Sequence, residues 1–207
     1  MFHERPDEVA AQVLSGVLKR VGGQFRFDMV DDVIVGNAFP EGLQGQNIAR
    51  TIALRAGLPE SVPGQTVNRY CSSGLQTIAL AANQIIAGQG DIIVAGGVEL
   101  MSAVPMGGNE PTNNPILEDQ NVGVSTPMGL TAENVAQTYK VSREDQDAYA
   151  VQSHQRAARA QREGKFEDEI IPIDVHKVEY DAEGPQVHVK TFDQDEFIPV
   201  SYTHLRA

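Results

Sequence analysis

Helical and strand-like segments alternate along the first hundred residues, and this alternation constrains the fold more than any other feature. Amphipathic helices, in which apolar residues recur at three- and four-residue intervals, are predicted over 6–21, 47–56 and 72–87. Short apolar runs are predicted as strands over 30–35, 64–68 and 91–95. Such alternation is typical of a sheet that is covered by helices on its faces, so we predict an α/β layered domain.

The sequence changes character after Met101. Residues 101–128 are rich in Pro, Gly and Asn and are predicted to form one long loop, of the kind that is functional or part of an interface. Helices are predicted over 131–139 and 142–163, and Ser142 with Asp145 forms a capping box that opens the second. Strands are predicted over 170–175 and 186–191, with Gly184-Pro185 between them.

Composition argues against several classes of protein. The net charge is −12, and the chain has no cluster of Lys and Arg and no Trp, so we expect no binding to nucleic acid. No apolar stretch is long enough to span a bilayer, and the first residues lack the order of a secretory signal, so we expect no membrane association. A single cysteine rules out an internal disulfide and fits a cytoplasmic protein.

That cysteine, Cys71, lies where a predicted strand turns into a predicted helix. The free N–H groups and the positive end of the helix dipole favour a thiolate there, and the thiolate is the nucleophilic form. A lone cysteine is also a common small buried hydrophobe, so placement alone leaves both roles open. Ser72, Ser73 and Gly74 are interpreted as small helix-start residues that pack close to the sheet, and Gly96-Gly97 as a further point of close backbone packing.

Deprotonation of the Cys71 thiol needs a base, and no histidine is assigned that role. The histidines fall in the termini, on a helix surface or on charged strand segments: His3, His154, His176, His188 and His204. No metal-ligand spacing exists either, because Cys71 has no Cys or His partner nearby in the sequence.

Four segments resemble the thiolase family, and they occur in the family's order. They are Asn-Arg-Tyr-Cys-Ser-Ser-Gly-Leu-Gln at 68–76, the Gly-Asp-Ile-Ile-Val-Ala-Gly-Gly-Val-Glu-Leu-Met-Ser run at 90–102, Met-Gly-Leu-Thr-Ala-Glu-Asn-Val-Ala at 128–136, and residues 141–150 continued by 153–157. The first resembles the acyl-enzyme segment, and its Arg69-Tyr70 pair is more similar to degradative 3-ketoacyl-CoA thiolases than to biosynthetic ones. The resemblance covers about residues 5–198.

The resemblance implies a layered αβα N-terminal thiolase domain over 1–115 without its first strand, an inserted α+β loop domain over 116–198, and an atypical tail over 199–207. It also implies that the 101–128 loop helps subunits assemble, with a mobile surface segment as the alternative, and that the parent is a homodimer or homotetramer. The Gly-His-Pro and Cys-x-Gly motifs and the catalytic Asn of the family's second half are missing. We therefore expect a fragment that lacks the C-terminal thiolase domain and is inactive alone.

The function that the resemblance implies is acyl-CoA C-acyltransfer, in fatty-acid β-oxidation or acetoacetyl-CoA metabolism. Cys71 would carry the acyl group in a ping-pong reaction with acyl-CoA and coenzyme A, with no cofactor beyond coenzyme A as co-substrate and no metal. Met128 corresponds to a family position that lines the pantetheine cavity, although a flexible core filler is as good an interpretation. The alternatives are a β-ketoacyl synthase-like condensing enzyme, against which the loop-domain motifs argue, and a non-catalytic thiolase-like protein that binds CoA or lipid.

Overall fold

The computed structural model describes residues 4–181, 184–196 and 198. Contacts divide the chain into two compact units. Unit 1 consists of Met1–Pro111 and Ile171–Asp193, and unit 2 of Thr112–Ile170 and Gln194–Ala207. The division into a thiolase core over 1–115 and a loop domain over 116–198 stays a prediction, and the tail over 199–207 lies outside the described residues.

The first part of unit 1 alternates helices and strands as predicted. Its helices are α1 (Pro6–Val21), α2 (Ile48–Arg55) and α3 (Ser73–Ile86), and its strands are β1 (Asp32–Gly36), β2 (Gly64–Val67) and β3 (Ile93–Gly97). Helix α1 has the predicted bounds because Pro6 fits the first helical turn and the chain leaves the helix at Gly22, whose φ is +67°. The predicted loop before α2 contains one short 3-10 helix, Gly42–Gln44.

The three strands form a parallel sheet in the order β2-β1-β3. Central strand β1 is the most buried, with Val33 and Ile34 fully inaccessible to solvent. Val33 and Val35 belong to the core cluster that α1 and α2 supply, through side chains such as Leu14 and Ile52. Since successive strand residues point to opposite faces, Ile34 faces the other side, where α3 packs. Helices therefore cover both faces, which confirms the predicted layered α/β fold.

An antiparallel hairpin completes unit 1. Its strands are β4 (Ile173–Asp181) and β5 (Gly184–Phe192). Gln12 of α1 binds β4 twice, since its Nε2 donates to the carbonyl of Asp174 at 3.3 Å and its Oε1 accepts from the same residue's amide at 3.1 Å. The prediction that Gly184-Pro185 lies between the strands is wrong, since both residues pair within the ladder, opposite Asp181 and Tyr180. In this two-stranded sheet each strand is an edge strand, where a proline without an N–H is tolerated.

Unit 2 is mainly helical. It contains α4 (Pro115–Gln120), α5 (Met128–Tyr139) and α6 (Arg143–Arg162). Helix α4 lies inside the segment predicted as one loop; Asn114 caps it by accepting hydrogen bonds from the amides of Ile116 and Leu117. The predicted cap of α6 is confirmed, since the Ser142 hydroxyl accepts a hydrogen bond from the amide of Asp145 at 3.1 Å. Across the described part of the chain, no helix has the length and apolar character needed to cross a membrane.

Candidate active site

Cys71 lies on the short turn that connects β2 to α3. Strand β2 ends at Val67, Ser72 is the N-cap, and the first helical residue is Ser73. This confirms the strand–turn–helix placement. The side chain of Cys71 is exposed, so the thiol is open to reagents and does not fill the core.

Hydrogen bonds within the turn define its shape. The amides of Ser72 and Ser73 donate to the carbonyls of Arg69 and Tyr70 at 3.2 and 3.0 Å. The Ser73 hydroxyl accepts from the amide of Arg69 at 2.9 Å, and the Ser72 hydroxyl donates back to the Arg69 carbonyl at 2.8 Å. Both serines therefore hold the turn that presents Cys71. Tyr70 has a φ of +46°, a left-handed conformation that non-glycine residues seldom adopt.

The start of α3 lies directly against the ends of the central strands. A Cβ on buried Gly36, the last residue of β1, would lie 2.7 Å from the carbonyl carbon of Ser73. A Cβ on Gly97, the last residue of β3, would lie 3.8 Å from the Cα of Gly74. This approach needs glycine at the end of β1, whereas a Cβ on Gly74 itself would meet no atom within 4 Å.

A polar network joins the carboxyl ends of β1 and β3 beside this turn. The Glu99 carboxylate accepts hydrogen bonds from the amides of Ala38 and Phe39 at 2.8 and 3.3 Å. It also accepts from the side-chain amides of Asn37, at 3.3 Å, and of Gln44. Gln44 and Asn37 are almost completely buried, which shows that the network is part of the packed structure.

Asn68 links this network to the Cys71 turn. Its Nδ2 donates to the carbonyl of Ala38 at 2.9 Å, and its Oδ1 accepts from the amide of Tyr70 at 2.9 Å. The rings of Phe39 and Tyr70 also lie near each other, with centroids 6.2 Å apart. The loop after β1 and the turn after β2 therefore support one another.

This network was not predicted from the sequence, although a signal exists. Asn37 and Asn68 each come directly after a strand, and Glu99 comes two residues after one. In open parallel sheets the carboxyl ends of strands share one edge, which is where ligands bind. Polar residues directly after buried strands therefore marked this edge as a candidate site.

The comparisons with known proteins agree with this geometry. The chain matches the family described as "Thiolase, N-terminal domain" over residues 3–205. The chain belongs to the thiolase family. The match agrees with the layered α/β fold described above.

Individual thiolase relatives show how much of such a protein this chain represents. It is 50% identical over 193 residues to a 3-ketoacyl-CoA thiolase of Bacillus subtilis (strain 168), covering 93% of this chain and 49% of the relative. It is 41% identical over 180 residues to a probable acetyl-CoA acyltransferase of Staphylococcus aureus (strain COL), covering 81% of this chain and 45% of that protein. The crystal structure of the Bacillus anthracis acetyl-CoA acetyltransferase superposes with a TM-score of 0.80 at 34% identity, over 99% of this chain and 52% of that one. The chain spans about half the length of the curated thiolases it matches.

Met128, the second predicted site residue of this thiolase chain, is the first residue of α5 in unit 2. Its side chain is 72% exposed. It borders an apolar groove that is lined also by Thr131, Val135 and Val141. The predicted contact of Met128 with pantetheine stays a prediction.

The described histidines are engaged elsewhere or lie on the other unit. Nδ1 of His176 lies 3.3 Å from the Glu4 carboxylate, and Nε2 of His188 lies 3.6 Å from that of Glu179. His154 is half-buried on α6 of unit 2. His3 and His204 lie outside the described residues. Among the described residues, no cluster of three His, Cys, Asp or Glu side chains suited to a metal ion occurs.

Proposed function

We propose that this chain is the N-terminal half of a thiolase that transfers acyl groups between CoA thioesters through Cys71. The observation that carries the proposal is the position of Cys71, an exposed thiol held on the β2–α3 turn within the thiolase-like segment 68–76. The printed names of the relatives, a 3-ketoacyl-CoA thiolase and a probable acetyl-CoA acyltransferase, support this class of reaction.

In the proposed reaction, the Cys71 thiolate attacks the 3-keto carbon of a 3-ketoacyl-CoA. The bond between C2 and C3 breaks, its electron pair leaves on C2, and protonation there releases acetyl-CoA. An acyl thioester then remains on Cys71, and the thiolate of coenzyme A attacks it and frees the Cys71 thiolate. Because one thioester replaces another, the second transfer costs little free energy, and a thiolate serves as both nucleophile and leaving group.

We assign one oxyanion donor to this chain, the amide of Cys71 beside the start of α3. The base that forms the thiolate, the acid that protonates C2 and the second oxyanion donor are proposed to come from the thiolase half that this chain does not span. The 207 residues alone are therefore expected to show negligible turnover. Coenzyme A is the proposed co-substrate, with no other cofactor and no metal.

The physiological setting is proposed on the same basis. We propose fatty-acid β-oxidation or acetoacetyl-CoA metabolism in the cytoplasm, by a homodimer or homotetramer of the whole protein. The net charge of −12 and the single cysteine fit a cytoplasmic protein that does not bind nucleic acid. Met128 is proposed to line the pantetheine cavity from the start of α5.

The test uses a chimera in which this chain replaces the matching half of the Bacillus subtilis 3-ketoacyl-CoA thiolase. Acetoacetyl-CoA should place an acetyl group on Cys71, visible by peptide mass spectrometry, and coenzyme A should remove it. Cys71→Ala should abolish both the adduct and thiolysis. The control is Ser153→Ala, at an exposed position on α6, which should behave like the unsubstituted chimera.

Four results would contradict the proposal or one of its assignments. A Cys71→Ala chimera that retains thiolysis removes Cys71 from the reaction. Decarboxylation of a malonyl thioester without thiolysis favours a condensing enzyme, and acyl-CoA binding without any adduct favours a non-catalytic protein. Measurable thiolysis by the 207-residue chain alone refutes the assignment of the base to the other half.

A further inference from the structure

We propose that Glu99 is a positioning residue for Cys71 and acts through Ala38 and Asn68, without contact to substrate. The catalytic meaning of this role rests on the proposed function, but the coupling itself is a property of this chain. It extends from the end of β3 through the loop after β1 to the turn after β2, and so crosses all three strands of the sheet.

In the first step, the Glu99 carboxylate holds the loop after β1 through hydrogen bonds. Oε2 of Glu99 accepts from the amide of Ala38 at 2.8 Å, and Oε1 accepts from the amide of Phe39 at 3.3 Å and from Asn37 Nδ2 at 3.3 Å. Gln44 Nε2 donates to Oε1 as well. Four donors converge on one carboxylate, and hydrogen bonds to an ionised acceptor are the strong ones.

The second step fixes Glu99 itself. Fully buried Gln44 accepts from the amide of Leu100 at 2.9 Å and donates to the carbonyl of Phe39 at 2.8 Å. Asn37 Nδ2 donates to the carbonyl of Val98 at 2.8 Å. The residues on both sides of Glu99 are therefore tied to the same loop that its carboxylate holds. A side-chain amide at position 99 would present its own N–H groups to these donors and could not replace the carboxylate.

The third step carries the restraint to the turn. The carbonyl of Ala38, whose amide Glu99 holds, accepts from Asn68 Nδ2 at 2.9 Å. Asn68 Oδ1 in turn accepts from the amide of Tyr70 at 2.9 Å. Tyr70 is the left-handed residue directly before Cys71, and such a conformation persists where the surroundings hold it in place.

The consequence for Cys71 is electrostatic. Cys71 directly precedes Ser72, the N-cap of α3, and this end of a helix favours negative charge. A released turn no longer holds Cys71 at the helix start, and the thiol then reacts more slowly. Stabilisation of negative charge at a helix N-terminus corresponds to about a two- to fivefold change in reaction rate. The loss of the Glu99 charge would act in the opposite direction, because a carboxylate repels the negative charge of a reacting sulfur. The sign of the effect therefore separates positioning from charge.

The experiment measures alkylation of Cys71 by iodoacetamide at pH 7 in the 207-residue chain, in which it is the single cysteine. The variants are Glu99→Gln, Asn68→Ala and the double variant, and a synthetic peptide of residues 66–77 gives the rate of an unpositioned thiol. The control is Glu60→Gln, which makes the same substitution at an exposed position before the amino end of β2, at the opposite end of that strand from Cys71.

We expect the wild-type chain to react about two- to fivefold faster than the peptide. Glu99→Gln and Asn68→Ala should each bring the rate close to that of the peptide, the double variant should add nothing further, and Glu60→Gln should match the wild type. Where the single variants stop short of the peptide rate, the absence of an additional effect in the double variant indicates one shared path, because independent destabilising changes would compound.

Several outcomes overturn the proposal. They are a wild-type chain that reacts at the rate of the peptide, a Glu99→Gln chain that reacts as fast as or faster than the wild type, and effects of the two substitutions that multiply. If circular dichroism shows that Glu99→Gln unfolds the chain, the Asn68→Ala variant alone tests the proposal. An Asn68→Ala chain that is alkylated at the wild-type rate then refutes the path. Alkylation needs neither CoA nor the other thiolase half, so this result and the Cys71 thioester test can fail separately.

Discussion

Replacing Gly36 with alanine tests how closely α3 must approach the sheet. The new Cβ would lie 2.7 Å from the carbonyl carbon of Ser73, 2.8 Å from its Cβ and 3.0 Å from the amide nitrogen of Gly74. Two of these three contacts are backbone atoms, so no side-chain rotation relieves them. The start of α3 has to move by several tenths of an ångström, and overpacking of this kind costs about 1–3 kcal/mol.

The assay is thermal and urea unfolding of the 207-residue chain, followed by circular dichroism. A loss of about 1–3 kcal/mol lowers the melting temperature by a few degrees for each kcal/mol in a domain of this size. The matched control is Gly74→Ala in the first turn of α3, where an added Cβ meets no atom within 4 Å. It should be neutral, or stabilising by up to about 1 kcal/mol, because alanine favours helix more than glycine does.

The difference in stability between the two variants shows whether lack of space or loss of flexibility limits the substitution. If Gly36→Ala unfolds at the same temperature and urea concentration as the wild type, the close approach of α3 to β1 does not constrain the fold. If both substitutions destabilise equally, loss of glycine flexibility and not lack of space is responsible. The φ of Gly36 is not in the left-handed region, so flexibility is not expected to matter at that position.

Two further predictions concern stability at other positions. The amides of Ile92 and Asp91 donate to the Asp31 carboxylate and hold its pKa below the usual value, so its contribution to stability is complete above about pH 4 and is lost as the pH falls through the folded-state pKa. Asp31→Asn should therefore destabilise at pH 7 and match the wild type near pH 2 in urea unfolding, and a difference that persists in acid contradicts this. Ser142→Ala should cost about 1 kcal/mol because the N-cap of α6 is lost, whereas Ser153→Ala on the same helix should be neutral; equal melting temperatures for the two variants would refute the cap.

Helices and the fold class were predictable because their signals act over a few residues. The bounds of α1 follow from apolar periodicity and from the proline and glycine at its ends. The cap of α6 follows from the Ser142 and Asp145 spacing. Helix α4 was missed because six residues starting with Pro115 carry too short a period to detect, and only the Asn114 cap marks it.

The candidate site was predictable only in part. The position of Cys71 before α3 follows from the sequence, because a strand, a turn of small residues and a helix succeed one another there. The hydrogen bonds that connect Glu99 to the turn were not predictable, because the partners of Glu99 lie 55 to 62 residues away in the chain. No local sequence pattern predicts which strands are neighbours in the sheet.

The sequence by itself determined the alternation of helices and strands, the single thiol at a helix start and the membership of the thiolase family. Only the tertiary structure decided that β1 lies between β2 and β3, which brings the loop after β1 against both the Cys71 turn and Glu99. The physical reason is the separation along the chain over which each kind of interaction acts. Periodicity, caps and turn residues act between neighbours along the chain, whereas strand order and the polar network depend on how distant segments share one buried sheet.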